Sequence, residues 1–136
     1  MKVAVVGMSL FGRSLAVGLA RCGVEVIAID VKLERVESVR DEVTLAVCLD
    51  ATDERALRSQ GVHEVDVLVA SIGNDFEANQ LLVLLAKEFG ISRVVARAPS
   101  LRHAQILRKL GADDVILPEV EAAERAAKEL LERRGP

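Results

Sequence analysis

At 136 residues and 14.7 kDa, the chain is one domain's worth of polypeptide, long enough to bury one sound core. A composition of 51% hydrophobic and 29% charged residues reads as globular rather than disordered, and a net charge of −3 gives no global electrostatic reason to bind nucleic acid. Three Phe with no Tyr and no Trp leave an aliphatic core and exclude both a Tyr-Lys proton relay and an aromatic platform for sugars or splayed bases.

The first element is the continuous apolar run Val3, Ala4, Val5 and Val6, ending at Gly7, which marks a strand buried on both faces. Residues 10–22 carry Leu15, Leu19 and Cys22 at helical spacing, and Gly23 closes that helix. A second strand over 24–29 ends at Asp30, and a short helix follows over 33–39. A third strand over 45–49 ends at Asp50, after which Thr52, or Asp53 beside it, is expected to cap a short helix over 53–59. The second half repeats the plan: a strand over 65–72, a turn at Gly73, Asn74 and Asp75, and a helix over 76–89 ended by Gly90. A strand over 93–98, a helix over 101–110 opened by Pro99 and Ser100, and a strand over 115–117 come next. Pro118 opens a last helix from Glu119 to about Arg134, and residues 133–136 read as a tail. Strict alternation with buried strands predicts an α/β, Rossmann-like doubly wound sheet of six parallel strands, order 3-2-1-4-5-6, with helices on both faces. The whole of 1–136 is expected to be a single domain of this type.

No apolar run approaches the ~20 residues of a membrane span, and the start of the chain runs into the first strand without a signal-peptide pattern. Direct membrane insertion is therefore not expected. Cys22 and Cys48 lie in apolar stretches without CxxC spacing and read as buried, reduced thiols of a cytoplasmic protein.

In an open α/β sheet, ligands bind beyond the carboxyl ends of the strands, where the strand order reverses. Those ends are polar or glycine-rich although the strands before them are apolar. Gly7-Met8-Ser9-Leu10-Phe11-Gly12 fits G-x-G-x-x-G at its first and third glycines, with Ser9 at the second. Gly7 makes the turn and Gly12 lets the helix pack close. Ser9 adds a Cβ where backbone usually approaches a pyrophosphate, and also adds a hydroxyl able to donate to a phosphate. Asp30 follows at the spacing of an acid that accepts hydrogen bonds from both ribose hydroxyls of an adenosine. It would repel a 2′-phosphate, so NAD or an adenine nucleotide is favoured over NADP. The competing reading of Asp30 is a strand-end residue capping the next helix. Lys32 lies beside the same ribose position or is simply exposed.

Asp50, Ala51 and Thr52 flank an adenine pocket or serve only as turn and cap. Ile72 and Gly73 supply the fourth strand's contribution to the cleft. Arg97, a cation at the end of an apolar strand, requires an anion, either a phosphate or a neighbouring Asp or Glu. His63 and His103 lack metal-ligand spacing and read as structural. Neither Ser71 nor Ser100 has a histidine at suggestive spacing, so no catalytic group and no metal are expected. In the last helix, Val120, Ala123, Ala127, Leu130 and Leu131 mark one face, with Glu121–Arg125 and Glu129–Arg133 as i,i+4 pairs. That face covers its own sheet or reaches across to a second subunit.

These residues resemble the RCK/KTN group, the TrkA N-terminal nucleotide-binding domain of potassium transport systems. The resemblance rests on Gly12-Arg13-Ser14-Leu15-Ala16, on Val26-Ile27-Ala28-Ile29-Asp30 and on Asp50-Ala51-Thr52-Asp53. It rests further on Asn79 with Leu84-Leu85-Ala86-Lys87-Glu88, and on Ala96-Arg97-Ala98, His103, Leu107, Leu110-Gly111-Ala112-Asp113 and Pro118-Glu119. It spans residues 2–131. It implies ligand-controlled regulation rather than turnover: NAD(H), ATP, ADP or AMP in the cleft, and homodimers or rings docked on the cytoplasmic side of a potassium-translocating membrane protein. By this resemblance Gly7, Gly12 and Asp30 hold phosphates and ribose, Asp50 and Thr52 flank adenine, and Arg97 meets nucleotide or a partner subunit. Glu119 sits near the phosphates. The chain departs from the family pattern at Ser9, usually glycine, and Leu10, usually arginine, and the family's small C-terminal ligand domain is absent. Two other readings stay open: the cofactor half of an NAD-dependent oxidoreductase, and a degenerate domain kept for assembly alone.

Overall fold

The apolar runs become strands because each is short, rich in Val, Ile and Ala, and followed by a residue that cannot continue it. In the computed structural model, which describes residues 1–133, the elements run β1 (Lys2–Val6), α1 (Leu10–Arg21), β2 (Glu25–Asp30), α2 (Leu33–Glu37), β3 (Leu45–Cys48), α3 (Glu54–Ser59) and β4 (Val67–Ala70). They continue with α4 (Phe76–Glu88), β5 (Arg93–Arg97), α5 (Leu101–Lys109), β6 (Asp114–Ile116) and α6 (Pro118–Glu132). Single 3-10 turns at Arg40–Glu42 and Val62–Glu64 precede β3 and β4. All six strands are parallel in the order β3-β2-β1-β4-β5-β6, as expected. The second helix ends at Glu37, two residues short of 39, and the segment tightens into the 3-10 turn. The expected helix end near Arg134 and the rest of the tail to 136 lie outside the described residues.

Alternate side chains of the strands feed two cores. Val3, Val5, Val26, Ala28, Val69 and Val95 pack with Ala16 of α1 and Val36 of α2. Ala4, Val6, Ile27, Ile29, Leu68, Ala70, Val94 and Ala96 pack with Leu57, Leu82, Ala86 and Leu107 of α3, α4 and α5. Helices on both faces explain why the central strands carry no polar alternation. β1 lies between β2 and β4, with Val3 in register with both Val26 and Val67. The chain thus reverses its direction across the sheet at β1, and that reversal opens a crevice at the carboxyl end.

One expectation is overturned, and two open alternatives are decided. Thr52 does not cap α3: its N–H and its hydroxyl both donate to Asp50 Oδ1, at 2.9 and 2.7 Å. That local turn occupies Thr52 and leaves the cap to the alternative, Asp53, whose carboxylate accepts from the N–H groups of Arg55 and Ala56. Cys22 and Cys48 are exposed free thiols rather than buried ones. Cys22 lies just beyond the last turn of α1, and Cys48 ends β3, the edge strand. The last helix does not cover its own sheet: Leu117 and Val120 anchor its start in the core, but every residue from 121 to 133 is exposed. Among the described residues neither Glu121–Arg125 nor Glu129–Arg133 closes into an ion pair.

Candidate functional site

The crevice is built from the loops after β1, β2, β3 and β4, the last residue of β5 and the start of α6. Gly7 leaves β1 at φ +100°, a conformation that favours glycine, and a Cβ there would collide with the carbonyl of Ser71. A Cβ at Gly12 would overlap the carbonyl oxygen of Gly7, so only glycine lets α1 start so close to the sheet. Ser71, fully buried, donates its hydroxyl to Val6 O at 2.7 Å and braces the same turn.

Asn79 braces the other side. It is fully buried on α4, its Oδ1 accepts from Ile72 N–H at 3.0 Å, and its amide donates to the carbonyls of Ala70 and Arg97. One side chain therefore ties together the ends of β4 and β5. Asp75 caps α4 through Ala78 N–H, which fixes the Gly73–Asp75 turn above the crevice.

Asp30 does both things its position allows. Its Oδ2 accepts from Met8 N–H at 2.7 Å and its Oδ1 from Lys32 N–H at 2.8 Å. It thereby fastens the glycine loop to the turn after β2. It is only 6% exposed, yet it lines the crevice. Ser9 is the N-cap of α1, but its hydroxyl makes no capping bond and no acidic side chain occupies the first turn. The positive end of a twelve-residue helix thus borders the crevice with no acidic side chain in its own first turn, the nearby carboxylate being that of Asp30 on Met8 N–H.

The crevice has two lobes. One, of about 250 Å³, is lined by Gly7, Ser9, Asp30, Lys32, Asp50, Ala51, Thr52, Ile72 and Gly73 among others. The hydrogen bonds from Thr52 hold the Asp50 carboxyl below the usual carboxylate range, so it is ionised at neutral pH. The wider lobe, of about 580 Å³, is lined by Ser9, Leu10, Phe11, Gly73, Arg97 and Glu119 among others. The lobes meet at Ser9, Arg35, Gly73 and Asn74, which line both. Met8 and Gly12 line neither. Met8 turns its side chain into the core beneath α1 and α2 and offers only its backbone to Asp30.

Arg97 takes the second of its two expected anions, a carboxylate: its guanidinium pairs with Glu119 and lies 5.9 Å from the centroid of the Phe11 ring. The Glu119 carboxyl is held below its ordinary value, first by its own backbone N–H at the start of α6 and then by Arg97. Ser100 and His103, expected to be unrelated, are in contact: Ser100 Oγ lies 2.6 Å from His103 Nδ1. The contact belongs to the cap of α5, where the same hydroxyl accepts from His103 N–H, and the His103 ring packs edge-on against Phe76. Sequence reasoning placed Asn74 and Asp75 at the end of the fourth strand, where the structure brings them into the crevice; it missed Arg35 and the bracing by Ser71. Arg35 carried a signal, being a cation in the short helix that follows Asp30.

Residues 3–118 match the family model described as the TrkA-N domain. The chain is 34% identical over 128 residues to "Ktr system potassium uptake protein C" of Bacillus subtilis, covering 94% of this chain and 58% of that protein. It therefore spans less than two thirds of that relative's length. Among solved structures it is similar to the GsuK RCK domain, with a TM-score of 0.74 and 29% identity over 85% of this chain and 24% of that one. It shares its fold with the Shewanella denitrificans Kef CTD in AMP-bound form, with a TM-score of 0.85 and 21% identity over 100% of this chain and 83% of that one.

Proposed function

The chain belongs to the TrkA-N domain family, and from that premise we propose that it is a nucleotide-sensing regulatory module of a potassium transport system. Its ligand is NAD(H) or an adenine nucleotide, and its output is a change in how it engages a potassium-translocating membrane protein. The observation that carries the ligand reading is the crevice itself. An uncapped helix end, a buried carboxylate and a second, ionised carboxylate converge on two joined lobes at the reversal of strand order. In this reading the nucleoside enters the smaller lobe between Asp30 and Asp50, with ribose hydroxyls donating to Asp30. The phosphates lie toward Ser9 and the start of α1. A 2′-phosphate would meet Asp30, which disfavours NADP. The naming of a relative as a potassium uptake protein and the AMP held by a protein of the same fold both support the reading.

The module acts by binding rather than by turnover, as a homodimer or larger ring at the cytoplasmic side of its membrane partner. Nucleotide then changes the balance between assembled states only in so far as it binds them with different affinity. Among the described residues no helix is long and apolar enough to cross a membrane, which is consistent with a peripheral position. Thermal unfolding with NAD, NADH, AMP, ADP and ATP in turn tests the reading. A ligand that binds only the native state raises the midpoint, and goes on raising it with the logarithm of its concentration above Kd. A midpoint unmoved by all five at millimolar concentration would remove the nucleotide from the proposal.

A further inference from the structure

Three side-chain cations line the crevice: Lys32, Arg35 and Arg97. Lys32 lines only the smaller lobe, and Arg97 lines only the wider one, where Glu119 matches its charge. Arg35 lines both and so stands where the lobes meet. Its nearest carboxylate is Asp30, with Nη1 3.8 Å from Oδ2, beyond the ~3.2 Å limit of a good hydrogen bond. Both Asp30 oxygens already accept from backbone N–H groups. Among the described residues the Arg35 guanidinium makes no hydrogen bond to protein, and its side chain is 35% exposed. It is held beside the crevice by a charge, with its fork of donors unspent.

The surrounding charges say what the fork meets. The smaller lobe is lined by three carboxylates, Asp30, Asp50 and Asp75, against Lys32 and Arg35. An anionic group is repelled from its depth and a neutral, hydroxyl-bearing group is not. The shared boundary between the lobes has the opposite character. Arg35 lines it together with Ser9, whose hydroxyl is free of capping duty at the positive end of α1. Planar donors on one side, with a hydroxyl and backbone N–H groups on the other, suit a tetrahedral oxyanion.

Resting on the nucleotide reading above, we infer that Arg35 is the phosphate-reading residue of this site: its guanidinium donates to the phosphate of a nucleoside mono- or diphosphate where the two lobes join, and so makes affinity depend on phosphorylation. Arg35 also sets the orientation of the ligand, with nucleoside in the acidic lobe and phosphate at the boundary.

The test is calorimetric titration of the chain and of Arg35→Gln and Arg35→Lys with adenosine, AMP and ADP. The unmodified chain binds ADP more tightly than adenosine. Arg35→Gln keeps its adenosine affinity within about twofold and loses about tenfold for ADP, the scale of one charge-assisted hydrogen-bonding group. Arg35→Lys recovers part of the loss, and the salt dependence of ADP binding is shallower in Arg35→Gln. If Arg35→Gln binds ADP as the unmodified chain does, the inference falls while the nucleotide reading stands. If it loses adenosine as much as ADP, Arg35 acts by holding Asp30 and the inference also falls. If the unmodified chain binds none of the three, the nucleotide reading fails first and takes Arg35's role with it.

Discussion

Arg97 and Glu119 join the last residue of β5 to the second residue of α6 across the mouth of the wider lobe. The pair links the crevice to the helix whose outer residues, 121–132, are all exposed. Glu119 is 60% exposed and Arg97 only 17%, so the carboxylate is the cheaper side to change. Glu119→Gln is expected to cost about 0.5 kcal/mol of stability, as for an exposed pair. It also leaves Arg97 as an unmatched cation, so binding of ADP or NAD tightens by roughly three- to fivefold, the effect of removing one nearby negative charge in a solvated cleft. Urea unfolding and calorimetric titration read the two effects separately. Unchanged or weaker nucleotide binding would show that no ligand charge comes near the pair.

Asp30→Ala removes the acceptor for two backbone N–H groups, one of them buried. The expected cost is about 2 kcal/mol or more in urea unfolding, because a buried donor left without a partner keeps its full desolvation penalty. Asp30→Asn retains an acceptor oxygen and is milder in stability. If ribose binds here, Asp30→Asn nevertheless weakens adenosine as well as ADP, a pattern opposite to that of Arg35→Gln.

Asp113 gives the fold a dependence on acid. Its carboxylate accepts from Val94 N–H at 2.8 Å and lies 3.5 Å from Lys87 Nζ. The Val94 bond, more than the lysine, lowers its pKa. A carboxyl with a lower pKa folded than unfolded stabilises the fold above its unfolded value near 4 and stops doing so as pH falls through the native value. Unfolding free energies of the chain and of Asp113→Asn should therefore differ by a constant amount from neutral pH to about 5 and converge below about 4. A difference that does not change with pH would mean that geometry rather than charge carries the contribution.

Leu130 and Leu131 are 73% and 65% exposed, on a helix with no buried residue. If α6 is the intersubunit element of the proposed homodimer, Leu130→Lys with Leu131→Lys lowers self-association in sedimentation velocity over a concentration series. The thermal midpoint of the dilute chain stays where it was, because neither side chain contributes to its core. Identical sedimentation at every concentration would place the contact elsewhere.

The strands and their order were legible because the signals were strong: buried runs such as 3–6 ending in glycine, and strand-end aspartates at Rossmann spacing. Boundaries moved where short polar side chains competed for the same N–H groups, as Asp50, Thr52 and Asp53 do at the start of α3. Periodicity misled at Cys48, because a strand at the sheet edge keeps an apolar pattern while losing one neighbour. The site was legible as a set of loop residues but not as a geometry. The cation at Arg35 was readable but its role was not, because that role comes from the place where two lobes meet. Asn79 was readable as a family residue but not as a brace, because its three partners lie on β4, β5 and the loop between β4 and α4. The direction of α6 was left open because a face of Ala and Leu suits burial against its own sheet and against another chain equally well.

The outer turns of α6 have a thermodynamic consequence. Twelve consecutive exposed residues, 121–132, are held helical by their own backbone bonds, and isolated helices shorter than about 12–15 residues are marginal in water. Helicity there is set by what the helix touches. If α6 is the contact of the proposed homodimer, far-ultraviolet circular dichroism reads that association: helical ellipticity per residue rises with protein concentration, and the entropy of ordering these turns is subtracted from the affinity of whatever seats on them.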